Sequence, residues 1–320
     1  MFSISSASDF EKTALEIFRQ QYQSVKVYHD FVNYLGIDAG KINILENIPF
    51  LPVELFKFHK ILSANQTEEI VFTSSGTTGS NQSKHYVAGK SLYEESFIRA
   101  FTIFYGSVSD YCILALLPSY LERSGSSLVY MMDRLIKMTG HPDSGFYLDQ
   151  HDALVKKVVE LKKHGQKTLL LGVSFALLEL AEKYSVDLSG VIIMETGGMK
   201  GRGTEITREE LHRRLKNSLN VKDIHSEYGM TELLSQAYSK GNGIFHTPPW
   251  MKILTRDSHD PFAFMPPGRS GAVNIIDLAN IRSCAFIATS DLGKTYPDGG
   301  FEILGRMDNR DIRGCNLMIP

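Results

Sequence analysis

Between residues 70 and 219 short apolar segments alternate with amphipathic ones, and this alternation restricts the fold more than any other feature of the chain. Ile70-Val71-Phe72, residues 111–117, 145–148, 168–171 and 191–194 have the length and composition of strands. Residues 89–105, 127–138, 152–164, 175–184 and 207–219 carry apolar side chains at helical intervals. The last of these has Glu209 and Glu210 early and Lys216 late, as the helix dipole prefers. Brief apolar strands, each followed by a helix, predict an α/β fold with helix-covered, mostly parallel sheets.

The flanks read differently. Residues 8–35 keep a helical apolar rhythm that stops at Gly36, and residues 46–60 carry Pro49 and Pro52 in a packed, irregular connection. From about Ser235 the prolines Pro248, Pro249, Pro261, Pro266 and Pro267 interrupt short strands at 272–276 and 286–288, which predicts a smaller β-rich lobe. The expected organisation is a helical lead-in over 1–69, an α/β core over 70–234, and the lobe with a C-terminal tail over 235–320. A chain of 320 residues is long enough for one core to begin splitting.

Charge and cysteine content exclude several classes. A net charge of -2 gives no general attraction to nucleic acid or an anionic membrane. Cys112, Cys284 and Cys315 are far apart and lack CxxC spacing, so neither a disulfide framework nor a zinc site is expected. Cys112 and Cys284 sit in apolar runs and read as core. The first residues lack the basic and apolar regions of a secretory leader, and the run around Cys112 is too short to span a bilayer. The expected setting is the cytoplasm, without stable membrane insertion.

Four segments carry chemistry. Thr73, Ser74, Ser75, Gly76, Thr77, Thr78 and Gly79 lead from a strand through Ser80-Asn81-Gln82-Ser83 to Lys84. Hydroxyls, freely turning glycines and a lysine suit a polyphosphate cradle, and they equally suit a flexible surface turn. The segment is not a Walker loop, because no Gly-Lys-Ser/Thr is present. In Tyr228-Gly229-Met230-Thr231-Glu232, Thr231 could bond a phosphate oxygen and Glu232 could hold Mg²⁺, or Thr231 could cap a helix. In Thr289-Ser290-Asp291 the carboxylate could accept from ribose hydroxyls, or sit in an Asx turn. The fourth segment runs from Gly305-Arg306-Met307-Asp308 to Pro320.

In this order the four segments resemble the adenylate-forming superfamily of acyl-CoA synthetases, adenylation domains and luciferases. Gly197-Gly198-Met199 falls where that family has a Gly-Gly turn beside adenine, and Pro267-Gly268-Arg269-Ser270-Gly271 matches its PGxxG turn. Ser290 stands where the family has Gly. The tail GRMDNRDIRGCNLMIP is most similar to the phenylacetate-CoA ligases and the acyl-protein synthetases of fatty-acid reductase systems. The resemblance covers about residues 70–320. It implies the large N-terminal domain of an adenylate-forming enzyme, without the usual C-terminal lid domain and its late lysine.

The resemblance implies these roles. ATP and Mg²⁺ are the cofactors, and a carboxylic acid, taken to be fatty, is the substrate. Thr73 to Thr78, Gly79 and Lys84 hold the triphosphate; Thr231 meets the α-phosphate and Glu232 the metal. Tyr228, next to Gly229, stacks on adenine opposite Gly197 and Gly198; Asp291, with Arg306 beside it, binds the ribose. Acyl-protein synthetases carry an acyl-accepting cysteine near the C-terminus, which Cys315 matches, so Cys315, Lys84, Thr231 and Glu232 form the expected catalytic set. The partner would be an acyl reductase or transferase. The competing readings are an acyl-CoA or aryl-CoA ligase completed by a separate C-terminal polypeptide, and a degenerate nucleotide-binding subunit.

Overall fold

The computed structural model describes residues 1–75, 82–117, 125–148, 150–197 and 206–307. In chain order the helices and strands are α1 (Ala7–Ser24), α2 (Lys26–Tyr34), β1 (Leu51–Pro52), β2 (Ile70–Thr73), β3 (Lys84–Val87), α3 (Lys90–Tyr105), β4 (Cys112–Leu116), α4 (Ser127–Thr139) and β5 (Gly145–Phe146). They continue with α5 (His151–Lys163), β6 (Thr168–Val173), α6 (Ser174–Lys183), β7 (Ile192–Thr196), α7 (Arg208–Leu219), β8 (Ile224–Tyr228) and β9 (Ala237–Ser239). The last strands are β10 (Met251–Arg256), β11 (Ser270–Asp277), β12 (Phe286–Thr295) and β13 (Phe301–Arg306). They form two compact units, Glu68–Pro248 and Met1–Thr67 with Pro249–Pro320.

In the unit Glu68–Pro248, a six-stranded sheet has the order β5-β4-β6-β7-β8-β9. Every pair is parallel except β8 with β9. Parallel neighbours need long crossovers, and α4 supplies one between β4 and β5, α6 between β6 and β7, and α7 between β7 and β8. All five residues of β4 are buried, as expected of a strand covered on both faces. Leu154, Val158 and Leu161 of α5 and Leu211, Leu215 and Leu219 of α7 join the same core. Gly172 lets α6 come close to β6: a Cβ there would lie 2.9 Å from Leu177 Cγ. Helix starts follow local chemistry, with Ser126 and Thr207 hydroxyls accepting from the N–H groups of Val129 and Glu210.

In the other unit the sheet order is β1-β12-β11-β10, with β13 also on β12. β1 runs parallel to β12 and the remaining pairs are antiparallel. The continuous helix expected over 8–35 is two helices. Val25 is extended, and the Ser24 carbonyl accepts the Ala64 N–H at 2.6 Å rather than continuing the helix. Apolar spacing runs across the break because both helices bury one face, so the rhythm did not reveal it.

The expected divisions after 69 and 234 also differ from the structure, which groups the lead-in with the C-terminal lobe. The buried Gln21 explains this. Its Nε2 donates to the Asn280 carbonyl at 2.9 Å and its Oε1 accepts the Ala285 N–H at 3.0 Å. Phe18 packs edge-on to Phe286, and both rings are fully buried, each contributing about 1.5–3 kcal/mol.

Candidate active site

β7 and β8 end together in the parallel sheet, where loops beyond strand C-termini build binding crevices. Thr196 pairs in register with Glu227, and the Thr196 hydroxyl donates to the Glu227 carboxylate; both residues are buried. Gly197 follows with φ 64°, a left-handed conformation open to glycine. Its carbonyl oxygen lies 2.5 Å from Ser174 Oγ, which is also 3.0 Å from Glu195 Oε2. The first residue of α6 thus ties β7 to the turn at Gly197.

Glu195 is buried, with Arg208 Nε at 3.4 Å and His212 Nε2 at 3.6 Å, both from α7. Burial acts to raise its pKa, but His212, Arg208 and Ser226 outweigh that and hold it below the ordinary carboxylate value. An ionised carboxylate therefore anchors α7 under the Gly197 turn.

β8 ends at Tyr228, and Gly229 follows it in close contact with the Glu227 side chain. A Cβ there would lie 2.5 Å from Glu227 Oε1. Thr231 and Glu232 are the centre of a tight turn closed by Leu233 N–H donating to Met230 O at 3.1 Å. No helix begins there, so the N-cap reading of Thr231 fails. Glu232 is 5% exposed. The Tyr228 ring meets Phe245 edge-on at 6.0 Å, and its hydroxyl lies 3.7 Å from Met230 Sδ.

The two ends of the hydroxyl-rich segment, Thr73 and Lys84, lie on the β2–β3 pair. Thr73 is opposite Lys84, and its N–H donates to Gly125 O at 2.8 Å. Ser74 N–H donates to Ser83 O at 3.1 Å, and Ser83 N–H to Ser74 Oγ at 3.0 Å. Lys84 and Ser75 are exposed. Next to Lys84, His85 is fully buried and its Nδ1 lies 2.9 Å from the Thr231 carbonyl oxygen. A carbonyl only accepts, so Nδ1 carries the proton. This bond joins the foot of the hydroxyl segment to the Thr231–Glu232 turn. Ser96 and Ser235 hydroxyls, 3.0 Å apart, add a second tie from α3 to residues just past the turn.

Asp291 and Arg306 belong to the other unit. Asp291 lies inside β12 and not in an Asx turn. It pairs in register with Arg306, whose Nε donates to Asp291 Oδ1 at 3.1 Å. The carboxylate is 8% exposed and the guanidinium 77%. The Ser290 hydroxyl donates to Glu54 Oε1 at 2.6 Å.

Gly76, Thr77, Thr78, Gly79, Gly198 and Cys315 lie outside the described residues. Cys112 and Cys284 are buried, as expected. His85, Glu195, Thr196 and Glu227 were not singled out from sequence. Only Glu195 left a signal there, as a carboxylate inside the apolar run ending at Thr196. Among the described residues no helix is long and apolar enough to cross a membrane.

A family model described as acyl-protein synthetase, LuxE, matches residues 3–320. A long-chain-fatty-acid–luciferin-component ligase from Photorhabdus luminescens is 36% identical over 70 residues, 22% of this chain and 60% of that protein. Among solved structures, 2-hydroxyisobutyryl-CoA ligase in an open conformation with 2-HIB-AMP and CoA aligns at TM-score 0.66 and 13% identity, over 96% of this chain and 77% of that one. ATP-bound MatB from Rhodopseudomonas palustris aligns at TM-score 0.55 and 17% identity, over 74% of this chain and 47% of that one. The chain has the mixed α/β fold of adenylate-forming enzyme N-terminal domains, while its matches span about half of MatB and under two thirds of the Photorhabdus ligase.

Proposed function

The chain belongs to the LuxE acyl-protein synthetase family, and we propose that it activates a fatty or other carboxylic acid with ATP and passes the acyl group to Cys315 for delivery to an acyl reductase or transferase. The single geometric observation that carries this reading is the His85–Thr231 bond, which ties β3, just past the polyphosphate-suited segment, to the Thr231–Glu232 turn.

In the first step a substrate carboxylate oxygen attacks the α-phosphorus of ATP, and the bond to pyrophosphate breaks, leaving acyl-AMP. Both reactants are anions, so positioning and charge neutralisation are the main tasks. Thr73 and Ser74, the hydroxyls beyond them and Lys84 take the phosphates; Thr231 takes the α-phosphate. Tyr228, Gly197 and Gly198 take adenine, and Asp291 with Arg306 takes the ribose. Glu232, the carboxylate next to Thr231 in the chain, would hold Mg²⁺, which commonly uses one or two carboxylates plus substrate phosphates. Bound there, Mg²⁺ would supply positive charge to the phosphate oxygens.

In the second step the Cys315 thiolate attacks the acyl carbonyl carbon. AMP leaves, a thioester forms, and the thiol proton passes to solvent or to the departing phosphate. The thiolate is the reactive form, and Arg310 and Arg313 lie close in sequence to favour it.

The test is intact-protein mass after incubation with ATP, Mg²⁺ and a panel of carboxylic acids, for wild type and Cys315→Ser. A hydroxylamine-labile acyl mass gain in wild type alone is expected. Gain in both variants would overturn Cys315 as acceptor, and AMP release only on adding CoA would move the activity to a CoA ligase. Glu232→Ala should abolish acid-dependent ATP–pyrophosphate exchange; retained exchange would remove Glu232 from the metal site.

A further inference from the structure

At Thr289–Ser290–Asp291, β12 departs from its register. Ala272 pairs with Leu292 and Asn274 with Ala288, so three residues of β12 face Val273 alone. Such a bulge re-aims side chains but breaks the hydrogen-bond ladder locally. The buried Arg256, last residue of β10, satisfies the groups this frees. Its Nη1 donates to Val273 O at 2.9 Å and to Asn274 Oδ1 at 2.5 Å, and its Nη2 donates to Thr289 O at 2.8 Å. The Thr289 hydroxyl donates to Val273 O at 2.9 Å and accepts the Asp291 N–H at 3.1 Å.

A buried guanidinium is normally paired with a carboxylate, because desolvation of a charge is expensive. Among the described residues no ion pair within 4.0 Å holds Arg256. Its donors go instead to the two strands on either side of the bulge. A planar fork can reach both at once, which a lysine cannot. Ser290, at the centre of the bulge, is fastened separately to Glu54.

The geometry points to Arg256 as a positioning residue for nucleotide recognition: through Val273, Thr289 and the bulge it sets the direction of the Asp291 carboxylate. This rests on the reading of Asp291 as the ribose-binding group. Arg256 touches no substrate. Its contribution is to hold an acceptor where both ribose hydroxyls can reach it.

Equilibrium binding of ATP and 2′-deoxy-ATP by calorimetry tests this without requiring turnover. Wild type should prefer ATP by roughly tenfold or more, the worth of a hydrogen bond to a charged group. Arg256→Lys should keep most affinity for 2′-deoxy-ATP and reduce the preference to about twofold or less. Asp291→Asn should do the same, and the double variant should be no worse than Asp291→Asn, since one residue acts through the other. A folded Arg256→Lys with the wild-type preference overturns the proposal, as does additive loss in the double variant. If Arg256→Lys does not fold, Thr289→Val removes only the hydroxyl linking Val273 to Asp291, and an unchanged preference in it overturns the proposal equally. Wild type that binds both nucleotides alike overturns the ribose reading and this inference together, whereas wild type that binds neither overturns the nucleotide reading itself.

Discussion

The imidazole of His85 and the carbonyl of Thr231 are separated by 146 positions in the chain and by 2.9 Å in the fold. His85 is fully buried and the bond is half-buried, so removing the donor leaves the Thr231 carbonyl without that partner. His85→Ala should destabilise the protein by about 1–3 kcal/mol, measured by urea unfolding. Pyrophosphate exchange should fall further than the folded fraction does, because the turn that carries Glu232 loses its tie. His85→Asn, which can present an N–H to the same carbonyl, should recover part of both losses. Exchange that tracks only the folded fraction would make the bond purely structural.

Gly229 is constrained by the carboxylate two residues before it. A Cβ would press on Glu227 Oε1 at 2.5 Å, and Glu227 is buried and held by the Thr196 hydroxyl. Gly229→Ala should cost about 1–3 kcal/mol and weaken ATP binding. Adding Glu227→Asp shortens the acid and should restore part of the melting temperature. No restoration would place the strain elsewhere.

Glu195 makes stability depend on pH in a defined direction. Its folded pKa lies below the ordinary 4.5, so the unfolded chain takes up the proton first as pH falls. The contribution is complete above about pH 4.5 and declines as pH drops through the depressed value. Glu195→Gln should lower stability at neutral pH by about 1–3 kcal/mol and flatten the acid limb of the urea midpoint as pH falls below the ordinary carboxylate value. An acid limb identical to wild type would mean another group carries it.

Cys112 and Cys284 should be silent to alkylation in the folded protein. Both are fully buried, and burial pushes their thiols up to about 11 and about 12. Iodoacetamide at pH 8 should leave both unmodified until denaturant is added, as read by peptide mass mapping. Labelling of either in the folded state would show that its thiol is open to reagents and overturn its assignment to the core.

Much of the fold was legible because it rests on local patterns. The uninterrupted apolar run at β4, the helical spacing of α5 and the charged first turn of α7 each declare their element without reference to distant residues. What escaped depends on pairings across the chain. Val25 breaks a helix because Ser24 is taken by Ala64. β10 and β13 went unread because Lys252, Thr255, Glu302 and Arg306 dilute their apolar character, and only their neighbours make them strands. Thr73, Lys84, Thr231 and Glu232 stood out as candidates by residue type and order. His85 was not, since a histidine between Lys84 and Tyr86 carries no local sign of a partner beyond residue 230. Asp291 was named, but its strand bulge was not, because the arginine that maintains it is 35 positions upstream.

The parallel pairing of β1 with β12 has a consequence for how the protein is made. On a ribosome the chain emerges from its N-terminus, and domains tend to fold as they are completed. Leu51 and Pro52 cannot meet Ile287 and Ala288 until those residues have been translated, and Gln21 waits for the same stretch to satisfy its buried amide. Residues 68–248 are continuous and need no later segment for their own sheet. Residues 68–248 can therefore fold on the ribosome while Gln21 still awaits a carbonyl 259 positions further along the chain, and Leu51 and Pro52 still await the strand they will pair with.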